Sequence, residues 1–181
     1  YEGMGDGATF FLPPMDEDTE ITGPLASKLF ISSATKDADL FLVVRLFTPD
    51  MKEVTFKGTV DPHTPIAQGW LRASHRKLDT KKSKPWRPWH THDEKQPLKP
   101  GSVYELDIEI WPTCVVIPAG YRLALTVRGK DYVYSGEPLN LSNFAHPLDG
   151  CGPFLHDDPR DRPKSVFGGD VTIHTGANHP S

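Results

Sequence analysis

Four groups of side chains in this 181-residue chain have the types and spacing to do chemistry. The first is His90-Thr91-His92-Asp93, with two imidazoles and a carboxylate. His-x-His on a strand puts both rings on one face, an arrangement that zinc sites use. Here the run lies among prolines and no third histidine stands at a clear spacing. A loop that is solvated, or held against another domain, is the preferred reading. The second is His156-Asp157-Asp158, which has the look of a fragment of an oxygen-rich cation site. It lacks the alternating acids and the glycine of a calcium loop, so a turn held by Asp side chains is the simpler reading. The third is basic. Arg72, Arg76, Lys77, Lys81, Lys82, Lys84 and Arg87 fall within sixteen residues, opposed by Asp79 alone, with Trp86 and Trp89 at the end of the run. Basic residues interleaved with aromatics bind single-stranded nucleic acid in some proteins. They serve equally well to dock a loop on an acidic neighbour. The fourth is the tryptophans themselves. Trp86 and Trp89 could stack a sugar, while Trp70 and Trp111 sit in strands and are expected to pack in the core or at its rim.

A hydrolytic nucleophile is missing from this inventory. None of the ten serines stands in a Gly-x-Ser-x-Gly elbow, the strained turn that exposes the serine of an α/β-hydrolase. The sequence also lacks the helices and parallel strands that carry such an elbow. A Ser-His-Asp triad arises on other folds too, but nothing here marks one. No catalytic, cofactor-binding or metal-ligating residue is therefore assigned.

The elements around these groups read as strands. In Val103–Trp111, Tyr104, Leu106, Ile108 and Ile110 point one way, and Glu105, Asp107 and Glu109 the other. That is the period-two pattern of a half-buried strand. In Gly120–Arg128, Leu123, Leu125 and Val127 face in, and Arg122, Thr126 and Arg128 out. Leu40–Phe47 is nearly all apolar, as for a central strand covered on both faces. Weaker strands are Phe10–Leu12, Lys28–Ser32, Val54–Lys57, Gly69–Ser74, Val115–Ile117 and Val171–His174. Proline (18) and glycine (15) are frequent, which suits turns better than helices. No stretch of ten residues has helical periodicity. Strands at this spacing predict an all-β, antiparallel β-sandwich, most simply a jelly roll, formed by residues 1–181 as one domain. Two segments, His75–Pro97 and Tyr134–Gly169, are longer than ordinary connections, and such loops are often functional or packed on another domain.

Net charge is −4, with both signs spread along the chain. This argues against general nucleic-acid affinity. No apolar run of about 18 residues predicts a membrane span. Cys114 and Cys151 are too few for a disulfide framework and are read as free thiols, although one disulfide could form in a secreted parent. The compartment stays open, with the cytoplasm favoured over secretion.

The order of strands and turns resembles a known family. The run TEITGPLASKLFISSATKDADLFLVVRLFTPD (19–50) is similar to the opening of the C-terminal domain of X-prolyl dipeptidyl-peptidases and of cocaine-esterase-like (CocE/NonD) hydrolases. It carries Ile21, Gly23-Pro24, Ser32-Ser33, Asp37 or Asp39, and Pro49-Asp50. Met51 stands where that family usually has glycine. GWLRASHRKLD (69–79) resembles its Gly-x-Leu-Arg-x-x-x-Arg strand. PLKPGSVYELDIEIWPTCVVIPAGYRLALTV (97–127) resembles its next hairpin, with Gly120-Tyr121-Arg122 in place of Gly-His-Arg. DVTIHTGANHPS (170–181) resembles the run before a last strand, which would follow Ser181. The chain is thus expected to be clipped at both ends. The resemblance implies a jelly roll related to galactose-binding-like modules. It implies a non-catalytic domain that packs on an α/β-hydrolase domain N-terminal to Tyr1, which would hold the triad and act on small ester, amide or X-Pro peptide substrates. The two long loops are the expected contacts, shaping the cleft or a homodimer, and the isolated domain should expose an apolar patch above roughly 400 Å². The competing expectation is a carbohydrate-binding jelly roll using Trp86 and Trp89.

Overall fold

Among the described residues, the period-two segments become eight strands. The computed structural model describes residues 1–153 and 155–179. The strands are β1 (Ala8–Phe11), β2 (Thr19–Ser33), β3 (Asp39–Phe47), β4 (Glu53–Val54), β5 (Ala67–Arg72), β6 (Tyr104–Ile117), β7 (Arg122–Arg128) and β8 (Val171–His174). A 3-10 turn covers Ala73–His75, and one four-residue helix, α1, covers Lys164–Phe167. One sheet runs β1-β7-β3-β4, with β5 also paired to β3; the other runs β6-β2-β8. Every strand pairing is antiparallel. The core between the sheets holds Leu29 and Ile31 of β2, Leu40 and Leu42 of β3, Leu71 of β5, and Leu106, Ile108 and Ile110 of β6. The molecule is the all-β, jelly-roll sandwich that the pattern calls for.

The central apolar strand is β3. It is buried on both faces because the segment after β7 and the second long loop lie over its outer side. There, Arg162 sits over the Phe41 ring at 4.9 Å, and His156 meets it edge-on at 5.4 Å.

The structure corrects several strand boundaries. Val103–Trp111 and Val115–Ile117 form one strand, β6, and Lys28–Ser32 extends back to Thr19. Pro112 and Pro24 lie inside these longer strands. In the structure Gly23 pairs with Thr113 and Leu25 with Ile110, so Pro24 faces Trp111 and Pro112 across a β-bulge. Proline gives no N–H to a ladder. Setting the two prolines opposite each other confines the lost bonds to one irregular step, and Gly23 takes the positive φ of 121° that the step requires. Val54–Lys57 shrinks to two paired residues plus a bridge from Phe56 to Thr64. Gly69–Ser74 shifts to Ala67–Arg72, because Ala73 and Ser74 enter the 3-10 turn. Thr126 and Arg128 point outward on β7 yet are buried. Thr9 of β1 covers Thr126, and Asp6 binds Arg128 at 2.7 Å.

Both long segments are anchored excursions. Residues 75–97 fold back through short bridges, Leu78 to His90 and Lys84 to Arg87. Residues 134–169 are tied to the sandwich by buried carboxylates, as described next.

Candidate functional site

The outward faces of β5 and β6 meet on one surface. β5 alternates Ala67, Gly69 and Leu71 inward with Gln68, Trp70 and Arg72 outward. On β6, Trp111 shares the outer face with Glu105, Asp107 and Glu109. The two strands belong to different sheets but come close at Gly69, where an added Cβ would lie 2.2 Å from the Glu109 carbonyl oxygen. A side chain there would hold the sheets apart. The seam brings Trp70 and Trp111 together, with ring centroids 5.1 Å apart at 71°. Edge-to-face packing of this kind is favourable, yet Trp111 remains 62% exposed.

A cavity opens on each side of this aromatic pair, and each long loop walls one of them. The first, about 390 Å³, is lined by the two tryptophans with Arg72, His75, His90, His92 and Glu109. His75 and His92 share a hydrogen bond between their Nδ1 atoms at 3.1 Å, and the His90 and His92 rings lie 5.9 Å apart. Burial pushes the His75 and His90 pKa values down, with the neighbouring His92 adding to the effect.

The second cavity, about 470 Å³, lies between the tryptophans and the Gly150–Pro153 turn, with Asp61, Gln68, Asp131 and His156 on its wall. Asp61, 4% exposed, accepts the backbone N–H of Gly150 (2.7 Å), Gly152 (3.0 Å) and His63 (2.9 Å). One carboxylate thereby satisfies three donors and fixes the turn. Asp131 accepts the His156 backbone N–H at 2.6 Å and bonds its Nδ1 at 2.8 Å. The Asp131 carboxylate raises the His156 pKa. Burial pushes the Cys151 thiol up to about 12, helped by Asp131, Asp149 and Asp61. At neutral pH it is therefore a thiol rather than a nucleophilic thiolate. Beneath the turn, Arg162 donates to Asp39 at 2.8 Å and to the Gly129 and His156 carbonyls.

The groups marked in the sequence separate on this surface. His90 and His92 join His75, a partner that spacing did not single out, while Asp93 turns to Lys77 and Thr91. Among the described residues, no three His, Cys, Asp or Glu side chains form a set that could hold a metal ion. In the His156 run the three residues divide: His156 pairs with Asp131, and Asp158 accepts the Arg160 backbone N–H at 2.8 Å in a local turn. The basic stretch is largely neutralised in place. Arg72 binds Asp39 and Asp161, Arg76 donates to two carbonyls and lies over Tyr104, Lys77 pairs with Asp93 and Glu94, and Lys82 with Asp79. Lys82 and Arg87 lie over the Trp89 ring, where a sugar would stack. Cys114 and Cys151 are free thiols. The strand tryptophans, expected at the core or its rim, are rim residues and the centre of the surface. The signal was present: Trp111 shares strand parity with three acids, which puts it on the polar face.

Residues 2–181 match the family described as the X-Pro dipeptidyl-peptidase C-terminal non-catalytic domain. The chain is 29% identical over 150 residues to Mb1866c, a protein named as a serine esterase in Mycobacterium bovis; the match covers 80% of this chain and 20% of that protein. A counterpart in Mycobacterium tuberculosis matches equally. Among solved structures, the CocE/NonD family hydrolase SACOL2612 of Staphylococcus aureus is similar at a TM-score of 0.80 and 26% identity, over 99% of this chain and 30% of that one. An aminopeptidase from a Thaumarchaeota archaeon shares the fold at a TM-score of 0.51 and 19% identity over 68% of this chain. The chain thus spans about a fifth of the length of the curated relatives it matches.

Proposed function

Because the chain belongs to the family of X-Pro dipeptidyl-peptidase C-terminal non-catalytic domains, we propose that its Trp70–Trp111 face packs on the α/β-hydrolase domain of a longer serine hydrolase and helps wall that domain's substrate cleft. The observation that carries this reading is the meeting of both long loops on one aromatic pair, half-buried Trp70 and exposed Trp111, with a cavity on either side. Large exposed aromatics are the usual anchors of protein interfaces. The two loops also expose Trp86, Leu139, Leu141 and Leu155.

In the proposed parent, a serine of the N-terminal domain attacks a small ester, amide or X-Pro peptide and an acyl-enzyme forms. This domain supplies no reacting group. Its contribution is to exclude water and fix the position of the substrate, which strengthens the electrostatics of the site it covers. Tight Asp61 and Asp131 anchors suit that role, because a wall must hold its shape.

The test is association in trans between this chain and the separately produced hydrolase domain of its parent. Trp111→Ala removes a mostly exposed ring, so the fold should survive, and binding is expected to weaken at least about tenfold, as for an interface hot spot. Unchanged affinity would overturn the assignment of this face. In parallel, the chain alone should neither turn over p-nitrophenyl acetate nor take up a serine-reactive fluorophosphonate; labelling of one serine would overturn the non-catalytic role.

A further inference from the structure

His75, at the end of the 3-10 turn, and the His90-Thr91-His92 run bring three imidazoles to one wall. We propose that they form a proton-operated clasp, which holds the 75–97 segment against the Trp70–Trp111 face while the rings are neutral and releases it when they take up protons. The clasp is a property of this chain alone. Its consequence for domain packing rests on the reading given above.

Only one hydrogen fits between the His75 and His92 Nδ1 atoms at 3.1 Å. One nitrogen donates and the other must accept, so the bond requires a neutral ring. A second proton sets two N–H groups head to head and adds a like charge. His90 Nε2 is buried and has no hydrogen-bond partner. Protonating it would place an unsatisfied, charged donor in the interior. Backbone strain adds to the device. His92 sits at a φ of 53°, the left-handed region that suits glycine or asparagine. Such a conformation persists only where its surroundings hold it, and the His75 bond is one of those restraints. Other restraints on the same segment are Thr91 N–H to the Lys77 carbonyl, Gln96 N–H to the Ser74 carbonyl, Arg76 to the Gln96 carbonyl, the Leu78–His90 bridge and the Lys77 pairs with Asp93 and Glu94.

The charges around the trio do not rescue the protonated state. Arg72 of β5 and Lys95 of the segment oppose protonation of His75, and Asp37 of the β2–β3 turn favours it less than burial opposes it. A hydrogen bond to the Asp107 backbone carbonyl of β6, and after it the Asp107 charge, favour protonation of His90, against larger effects of burial and His92. Glu109 of β6 lines the same cavity, while Lys77, Asp93 and Glu94 are paired among themselves. His75 and His90 therefore bind protons less readily when the clasp is closed than free histidine, whose value is 6.5. The open state takes up more protons. Closure is complete above about pH 6.5 and weakens as pH falls below it.

Hydrogen exchange of the Thr91 and Gln96 amides reads the clasp directly, as protection relative to unstructured rates at about pH 7.5 and about pH 5.5. Protection is expected to fall several-fold at the lower pH while that of the core β3 amide of Leu42 is unchanged. His92→Asn tolerates the left-handed backbone and should reduce the pH response to what His90 alone supplies. His75→Gln, which removes the second ring, should do the same to the pH response. Equal protection of the wild-type amides at the two pH values overturns the clasp, and so does a pH response that survives when both substitutions are combined with His90→Gln. The exchange is measured without a partner, so its outcome is independent of the docking test. Repeating the association in trans at the same two pH values reads the consequence for packing.

Discussion

Asp39 holds two guanidinium groups at once. Arg72 reaches it through Nε at 2.8 Å and Nη2 at 3.0 Å, and Arg162 through Nε at 2.8 Å. Arg162 is only 4% exposed. The cluster joins β3 to β5 and pins the second long loop behind the 470 Å³ cavity. A buried ion cluster adds little over apolar packing, but removing one member leaves the others desolvated and unpaired. Asp39→Ala is therefore expected to cost about 3–5 kcal/mol in urea unfolding. Arg160→Ala, which breaks the exposed pair with Asp158, should leave the urea midpoint essentially unchanged. Similar losses for both would overturn the role given to Asp39. None of this was legible in the sequence. Arg72 read as one of seven basic surface residues, because its partners Asp39 and Asp161 lie 33 and 89 positions away, and short-range spacing carries no trace of such a pairing.

At the scale of elements, what is local in sequence was readable and what depends on a facing strand was not. The inward and outward sides of β6 follow from alternation alone. Its unbroken course through Pro112 depends on Pro24 lying across from it, a fact of register rather than of either segment. The same holds for Gly69. Within β5 it is a small residue at an inward position; against β6 it is the point where the two sheets close on each other. Moving backbone to admit a methyl there would spread the seam and separate Trp70 from Trp111. Gly69→Ala is expected to destabilise the chain by about 1–3 kcal/mol, and to change the tryptophan fluorescence in the folded state. A variant as stable as the parent, with the same spectrum, would show that the seam has slack.

The whole molecule has a second unsatisfied region besides the tryptophan face. β8 pairs with β2 only along Phe30–Ser33. Among the described residues, no strand lies on the outer edge of β2 from Thr19 to Leu29. Beside that edge runs an apolar groove of about 330 Å³, lined by Phe10, Phe11, Leu12, Leu29, Leu125 and Ile173. Phe10, Phe11 and Leu12 are 43%, 45% and 53% exposed in succession. Unpaired backbone groups next to apolar side chains form a template for an incoming strand. The matching edge of a second copy of this chain would fit here, its backbone pairing with β2 and its apolar side chains entering the groove. The chain is expected to self-associate through β2 and the groove. Sedimentation velocity should then show a weight-average mass that rises with concentration into the high micromolar range. Leu12→Lys places a charge on the groove wall and should return the chain to a monomer, whereas Trp111→Ala, on the face assigned to the hydrolase domain, should leave the association unchanged. A chain that stays monomeric throughout would mean that its edge is already blunted, with Glu20 and the Lys28–Asp107 pair as the first candidates. Association abolished by Trp111→Ala instead would move the self-contact to the tryptophan face and make that face an interface between copies.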